Sequence, residues 1–413
     1  MLDHNATAGQ SVRMTAPSAP STRGKAARGP SPGSPAALRS ANQRRVLDVL
    51  RGRDPEAKPD GPHTQAELAR LTGLAPATVS NIVRELTTAG LLEVEPGAGR
   101  RGTTLQLSAS AGLVAGIDFG HSHVAVAIGD LAGRVLAETR TPLRATHTSD
   151  EGLDVAHRLL EQLLADLPGA VIRAVGMGLP APVSDGLVRS SAILPGWVGV
   201  DALAAVSERF ALPAYVDNDA NLGAVAEQRV GAANGCRTAV FVKVSSGIGA
   251  GLVIEGEIFR GSSGTAGEIG HLTLDEQGPV CRCGSRGCLE AYSSVETVQE
   301  LLTAQLPDAG IAEIVAAAKE GSVPALRVLE DAGLHLGWGL AAVVNLVNPE
   351  LVVVGGEIAH AGELLLGSVR IGLRRHALDA AAGTPIVTGA LGERASLLGA
   401  LMLAADRTEI TTA

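Results

Sequence analysis

The sequence predicts an α/β protein with a small helical segment ahead of its sheets, and three observations point there. Of the 413 residues, 46% are hydrophobic but only 2% aromatic, so the cores should be built of Ala, Val, Leu and Ile. The patterning also changes after Leu107, from short amphipathic helices to β-rich runs broken by glycine turns. Finally, the charge is divided: residues 1–107 hold 14 Lys and Arg against 9 Asp and Glu, and the remainder holds 20 against 34. A net charge of -9, evenly spread, would count against nucleic acid as a partner. Divided as +5 and -14, it leaves the first segment free to approach phosphate. The length suggests two or three domains. The shortage of aromatic residues argues against stacking platforms for single strands.

Residues 1–36 are rich in Ser, Pro, Ala, Gly and Arg without apolar periodicity, and a disordered tail is expected. A DNA-binding domain is expected over residues 37–107. Its first helix, near Leu38 to Leu50, turns Val46, Leu47, Val49 and Leu50 inward, and a polar loop runs from Arg51 to His63. Thr64-Gln65-Ala66-Glu67 then spells a capping box, in which hydroxyl and carboxylate satisfy free amides of the first helical turn. That helix ends near Leu71, and Thr72-Gly73-Leu74 turns the chain. A third helix opens with Pro76, at a position where the missing N–H costs nothing. Its Val79, Ile82, Val83 and Leu86 recur at helical spacing and form a core face. The other face carries Ala77, Thr78, Ser80, Asn81 and Arg84.

Two helices joined by a short glycine turn fit a helix-turn-helix, whose second helix can enter a major groove. Strands at Gly90–Val94 and Thr103–Leu107 flank a tip carrying Arg100 and Arg101, which reads as a wing. The plain alternative is a small helical domain with a surface hairpin. The segment resembles the winged helix-turn-helix domains of bacterial transcription regulators. That resemblance implies double-stranded operator DNA as partner, touched by Ala77, Thr78, Ser80, Asn81, Arg84, Arg100 and Arg101.

Beyond residue 111 a strand, a small-residue turn and a returning strand occur twice, at Leu113–Ile128 and at Ala239–Ile254. Such a pair facing across a cleft can hold phosphates on exposed backbone N–H groups. Four cysteines in so long a chain make no disulfide framework, and the first residues lack a basic region followed by an apolar run. A cytoplasmic location is therefore expected. No membrane partner is expected either, because the greasiest stretch, Leu340–Gly356, is interrupted by Asn345, Asn348, Pro349 and Glu350. Three of the cysteines, Cys281, Cys283 and Cys288, follow His271 at a spacing suited to a tetrahedral zinc site. Four protein ligands leave no open position, so a structural role is expected, with Cys236 as a small buried thiol outside the set.

Ala266-Gly267-Glu268-Ile269-Gly270-His271, followed by Cys281-Arg282-Cys283-Gly284-Ser285-Arg286-Gly287-Cys288-Leu289-Glu290, resembles the signature of the ROK family of sugar kinases and sugar-responsive regulators. The resemblance runs from about residue 112 to 408. It implies a two-lobed, actin-like ATPase fold of the RNase H type, with a small lobe over 112–235 plus a C-terminal helix at 393–408. The large lobe then spans 236–392 and holds the zinc site. It further implies that Asn218, Asp219, Glu268, His271 and Glu290 bind a sugar, with Asp219 at the position of the kinases' general base. Carboxylates and an amide suit the many hydroxyls of a pyranose. The plain alternatives are that Asp219 only caps the helix Ala220–Arg229 and that Glu268 is surface charge. Trp197 fits either stacking on a sugar or core packing.

The implied phosphate loops depart from the family pattern. Asp118, Gly120 and Ser122 remain, but His121 stands where a glycine is usual and His123 where a lysine is. In the second loop Ser246, Gly247 and Gly249 remain while two glycines are lost, and Gly355-Gly356 matches the adenosine side. Sugar ligands kept beside eroded phosphate ligands point to a sugar-responsive regulator, a repressor acting as a homodimer or dimer of dimers. The alternative is an ATP-dependent sugar kinase with a fused DNA-binding segment. Whether ATP binds is open at this point.

Overall fold

The computed structural model describes residues 35–51, 63–95, 103–108, 111–144, 146–191 and 193–408. The expected tail up to residue 34, most of the polar loop, and the wing tip with Arg100 and Arg101 lie outside the described residues. The chain divides into two compact units at Arg44, and the sheets and the cleft belong to the second.

The N-terminal elements are α1 (Pro35–Leu50), β1 (His63–Thr64), α2 (Gln65–Thr72), α3 (Pro76–Thr88), β2 (Leu92–Glu95) and β3 (Thr104–Leu107). The capping box is present: Thr64 Oγ1 accepts the Glu67 amide at 3.2 Å and the Glu67 carboxylate accepts the Thr64 amide at 2.8 Å. Gly73 ends α2 with φ +66°, a left-handed conformation that favours glycine. Val79, Ile82, Val83 and Leu86 are buried along α3, as their spacing predicts. Antiparallel β2 and β3 form the hairpin, and β1 adds a third strand by pairing His63 with Leu105. A loop is what the sequence predicts through His63, because two residues carry no periodicity.

The internal echo is a duplicated sheet. The first set comprises β4 (Leu113–Phe119), β5 (His123–Asp130), β6 (Val135–Pro142), α4 (Ser149–Ala165), β7 (Ile172–Leu179), β8 (Val183–Ser184), β9 (Leu187–Val188), α5 (Ala202–Phe210), β10 (Ala214–Asn218) and α6 (Asp219–Val230). The second comprises β11 (Ala239–Val244), β12 (Ile248–Ile254), β13 (Glu257–Ile258), α7 (Glu290–Ser293), α8 (Val295–Leu302), α9 (Ile311–Lys319), α10 (Val323–Val347), β14 (Leu351–Gly355), α11 (Glu363–His376) and β15 (Ile386–Thr388). The last helix is α12 (Ala395–Arg407). The sheets run β10-β7-β4-β5-β6 and β13-β12-β11-β14-β15. In each, the first strand pairs antiparallel with its returning partner and parallel with the strand that follows the crossover. This is the two-lobed arrangement the resemblance implies.

Helix α12 returns to the first sheet. A Cβ at Gly176 would lie 1.9 Å from the Ala400 carbonyl, and one at Gly116 would lie 2.8 Å from the Leu401 nitrogen, so helix and sheet approach closely only because both positions are glycine. Helix α6 packs on both α12 and the second sheet. Leu401, Ala404 and Ala405 of α12 share one hydrophobic core with Val114 and Ala127 of the first sheet and with Val46, Leu47, Leu91 and Leu107 of the N-terminal segment. Among the described residues, no helix is long and apolar enough to cross a membrane.

Candidate functional site

A cleft of about 580 Å³ opens over the C-terminal end of β10 and the start of α6, and Asn218, Asp219, Glu268, His271 and Glu290 all line it. Side chains from well-separated elements hold each acid in place. Asn218, rather than Asp219, is the N-cap of α6: its Oδ1 accepts the amides of Ala220 at 2.9 Å and Asn221 at 3.2 Å, while its Nδ2 donates to the Ala181 carbonyl. The capping role considered for Asp219 therefore falls to its neighbour, and the Asp219 carboxylate is available to the cleft. Asp217, buried beneath, accepts from Asn221 Nδ2 and pairs with Arg260, which fixes the strand-to-helix junction.

Glu290 opens α7, where it accepts the Ile248 amide at 3.0 Å and pairs with Arg282 at 3.0 Å. Glu268 lies in the turn before Ile269, and burial, together with Asp219 and Glu290, raises its carboxyl to about 7. Glu268 is half-buried and lines the cleft rather than standing on the open surface. Trp197 is fully buried, its ring 5.2 Å from that of Phe119 and its Nε1 donating to His147 Nε2, so the core-packing alternative is the one observed.

The remnants of the phosphate loops divide. Gly120, Ser246, Gly247 and Gly249 line the cleft, and Asp118 and Gly356 line a smaller pocket continuous in composition with it, sharing His123, Lys243, Ser245 and Glu357. Ser122 lines neither pocket. Gly355 is packed against Phe241, whose ring a Cβ there would meet at 2.4 Å. His123 stands over Gly120, and burial with the nearby Arg140 and Lys243 pushes its imidazole down to about 3, so it is neutral and supplies no cation.

A buried cation at the floor of the cleft is Lys243, which sequence reasoning missed. Its Nζ donates to Asp219 Oδ2 at 2.8 Å and to Ser396 Oγ at 3.0 Å, and Ser396 Oγ donates to the Asp219 carbonyl at 2.9 Å. Burial works against the ammonium, but Asp118 and Asp219 outweigh it and hold Lys243 charged. One signal was present: a lone lysine in the otherwise apolar strand Ala239–Val244. Arg282 was also passed over, although it sits between two predicted ligands.

His271, Cys281, Cys283 and Cys288 bring one ligand atom each to within 4.8 Å of one another. The contacts Cys281 Sγ to His271 Nδ1 and Cys283 Sγ to Cys288 Sγ are both 3.8 Å. A tetrahedron with metal–sulfur bonds of about 2.3 Å has edges of about 3.8 Å. Burial pushes the Cys281 thiol up to about 12, so a thiolate there calls for a compensating cation. The set suits a metal ion. On α3, Ala77, Ser80, Asn81 and Arg84 are exposed and Thr78 is half-buried, with Arg84 Nη2 donating to Asn81 Oδ1 at 2.6 Å.

The sequence profile of the ROK family matches residues 114–407. The chain belongs to the ROK family. A second profile, that of the MarR family, matches residues 39–102, over the winged segment. NagC of Escherichia coli strain K12, a DNA-binding transcriptional dual regulator, is 32% identical over 369 residues, covering 83% of this chain and 88% of its own. The xylose repressor of Bacillus subtilis strain 168 is 29% identical over 357 residues, covering 84% and 92%. Among solved structures, a ROK family transcriptional regulator homologous to the E. coli MLC protein superposes with a TM-score of 0.72 at 26% identity, covering 87% of this chain and 96% of that one. A ROK family glucokinase from Streptomyces griseus, in complex with glucose and AMPPNP, gives 0.64 at 28% identity, covering 71% and 100%. This member of the family thus joins a winged helix-turn-helix to the two-lobed fold, as the regulators do.

Proposed function

We propose that this ROK protein is a sugar-responsive transcription regulator, a repressor of carbohydrate genes. The observation that carries the reading is a winged segment with an exposed polar helix face, joined to a cleft that gathers three carboxylates. In this reading residues 37–107 form the DNA-binding domain. Residues 112–235 with 393–408 form the small lobe, and residues 236–392 the large lobe. A homodimer presents two copies of α3 to successive major grooves of a pseudo-palindromic operator. Thr78, Ser80, Asn81 and Arg84 contact bases and phosphates, and Arg100 and Arg101 extend the contact.

Within the cleft, Asp219, Glu268 and Glu290 accept from the sugar's hydroxyls, His271 adds a polar contact, and Asn218 orients the turn that presents Asp219. Zinc held by His271 and the three cysteines braces the loop and takes no part in chemistry. Sugar shifts the lobes and changes operator affinity only by its differential affinity for the two arrangements. A kinase reading has one observation in its favour, Asp219 facing the cleft. Against it stand the eroded phosphate loops and the engagement of Asp219 by Lys243. The regulator reading is tested by operator binding in a salt titration. Arg84→Ala should weaken binding by about tenfold or more, and unchanged affinity across the titration would remove α3 from the interface.

A further inference from the structure

The floor of the cleft holds an arrangement that the regulator reading leaves unexplained. Lys243 sits mid-sheet on β11, its cross-strand neighbours Gly249 on β12 and Gly355 on β14. Without side chains on either flank, the long lysine side chain has room on that face. Only 15% of it is exposed. The ammonium ends on Asp219 and Ser396, with Asp118 and Glu357 near enough to act on its charge. Asp118 is 2% exposed, and its Oδ1 has no hydrogen-bond partner among the described residues.

Carboxylates converging beneath two glycine-rich loops are the means by which phosphoryl-transfer sites hold a divalent cation, which in turn holds the phosphates. Here the same acids face a fixed ammonium. A lysine bonded to Asp219 Oδ2 also engages one of the two oxygens that could accept a proton from a substrate hydroxyl. Neither Arg140 nor His123 can take over this part. Arg140 pairs with Glu393, and His123 is neutral.

We propose that Lys243 is a built-in cation that excludes a divalent metal from the cleft, and with it the phosphate such a metal would carry. The inference deepens the regulator reading and rests on it for the identity of the ligand class. Lys243 acts through Asp219 and Asp118 and is a positioning residue.

The test uses the zinc-loaded full chain and Mn²⁺ as the probe, its binding followed by water-proton relaxation and by electron paramagnetic resonance of the free ion. The native protein should leave Mn²⁺ free. Lys243→Met should gain Mn²⁺ affinity by about tenfold or more, because buried carboxylates lose their counter-ion, and Asp118→Asn added to it should abolish the gain. Mn²⁺ bound by the native protein and released by Asp118→Asn would overturn the proposal. So would a folded Lys243→Met that gains nothing. Should Lys243→Met not fold by circular dichroism, Lys243→Gln and the native titration carry the test. Operator binding in the same preparations reports on the regulator reading separately: its absence, with Mn²⁺ still excluded, would sink that reading and leave the role of Lys243 standing.

Discussion

Glu268 is the residue whose ionisation most directly connects the cleft to conditions in solution. Its carboxyl is raised from 4.5 to about 7 by burial, Asp219 and Glu290. Between those values the folded state keeps a proton that the unfolded chain has released. The group's favourable contribution is therefore complete below about pH 4.5 and is lost as pH rises through about 7. Glu268→Gln carries no ionisable group, so relative to the native protein it should gain stability on going from about pH 5 to about pH 8. The full shift sets a limit of about 3 kcal/mol, and partial access of water reduces the expectation to about 1–2 kcal/mol. Urea unfolding at the two pH values measures it, and equal differences at both would show that the carboxyl is not held protonated. Glu268 and Glu290 could be singled out from the sequence because they stand in a recognisable signature, and Asp219 because it follows Asn218 as the family's Asn-Asp pair. Lys243 could not, because what gives it meaning is a bond to Ser396, 153 positions away, and no local pattern encodes such a meeting.

At the scale of elements, the segment between Leu272 and Leu289 has almost no regular structure to hold it. Two isolated bridges, Thr273 to Cys288 and Val280 to Arg286, are its ladder contacts. Yet it delivers Arg282 to Glu290 and passes directly into α7, so its conformation determines where Glu290 points. A metal on the four-residue cluster is the natural brace. Cys283 separates this role from packing, since it is exposed while Cys281 and Cys288 are buried. Cys283→Ser should lose most of its zinc by atomic absorption and weaken sugar binding by about tenfold, while operator binding without sugar is retained. Full sugar affinity in a metal-free preparation would show that the loop holds itself. Elements with a long period or a cap were readable from sequence: α3 from its apolar spacing and Pro76, α2 from Thr64 and Glu67. Strand β1 was not, since its two residues become a strand only by pairing with β3.

Within the second compact unit, which begins at Arg45, described residues of the winged segment share a core with the sheets that follow. Leu401 on α12 is fully buried, lies over Gly129 of β5, and belongs to the core that also contains Val46, Leu47, Leu91 and Leu107. Near the end of the same helix, the Thr408 carbonyl accepts from Arg51 Nη2 at 2.9 Å. The other end of α12 supplies Ser396 to Lys243 and Asp219. One helix therefore touches both the floor of the cleft and the core beneath the winged segment, and a rearrangement at either place changes what the other packs against. Such coupling requires that the two regions share their stability. Leu401→Ala leaves a cavity in the shared core and should cost about 2–5 kcal/mol. Hydrogen exchange then distinguishes shared from separate stability: protection at the Val83 amide of α3 and at the Val126 amide of β5 should fall together, by similar factors. If Val126 loses protection while Val83 keeps it, the winged segment unfolds on its own, and the effect of sugar on DNA must reach it by some route other than α12.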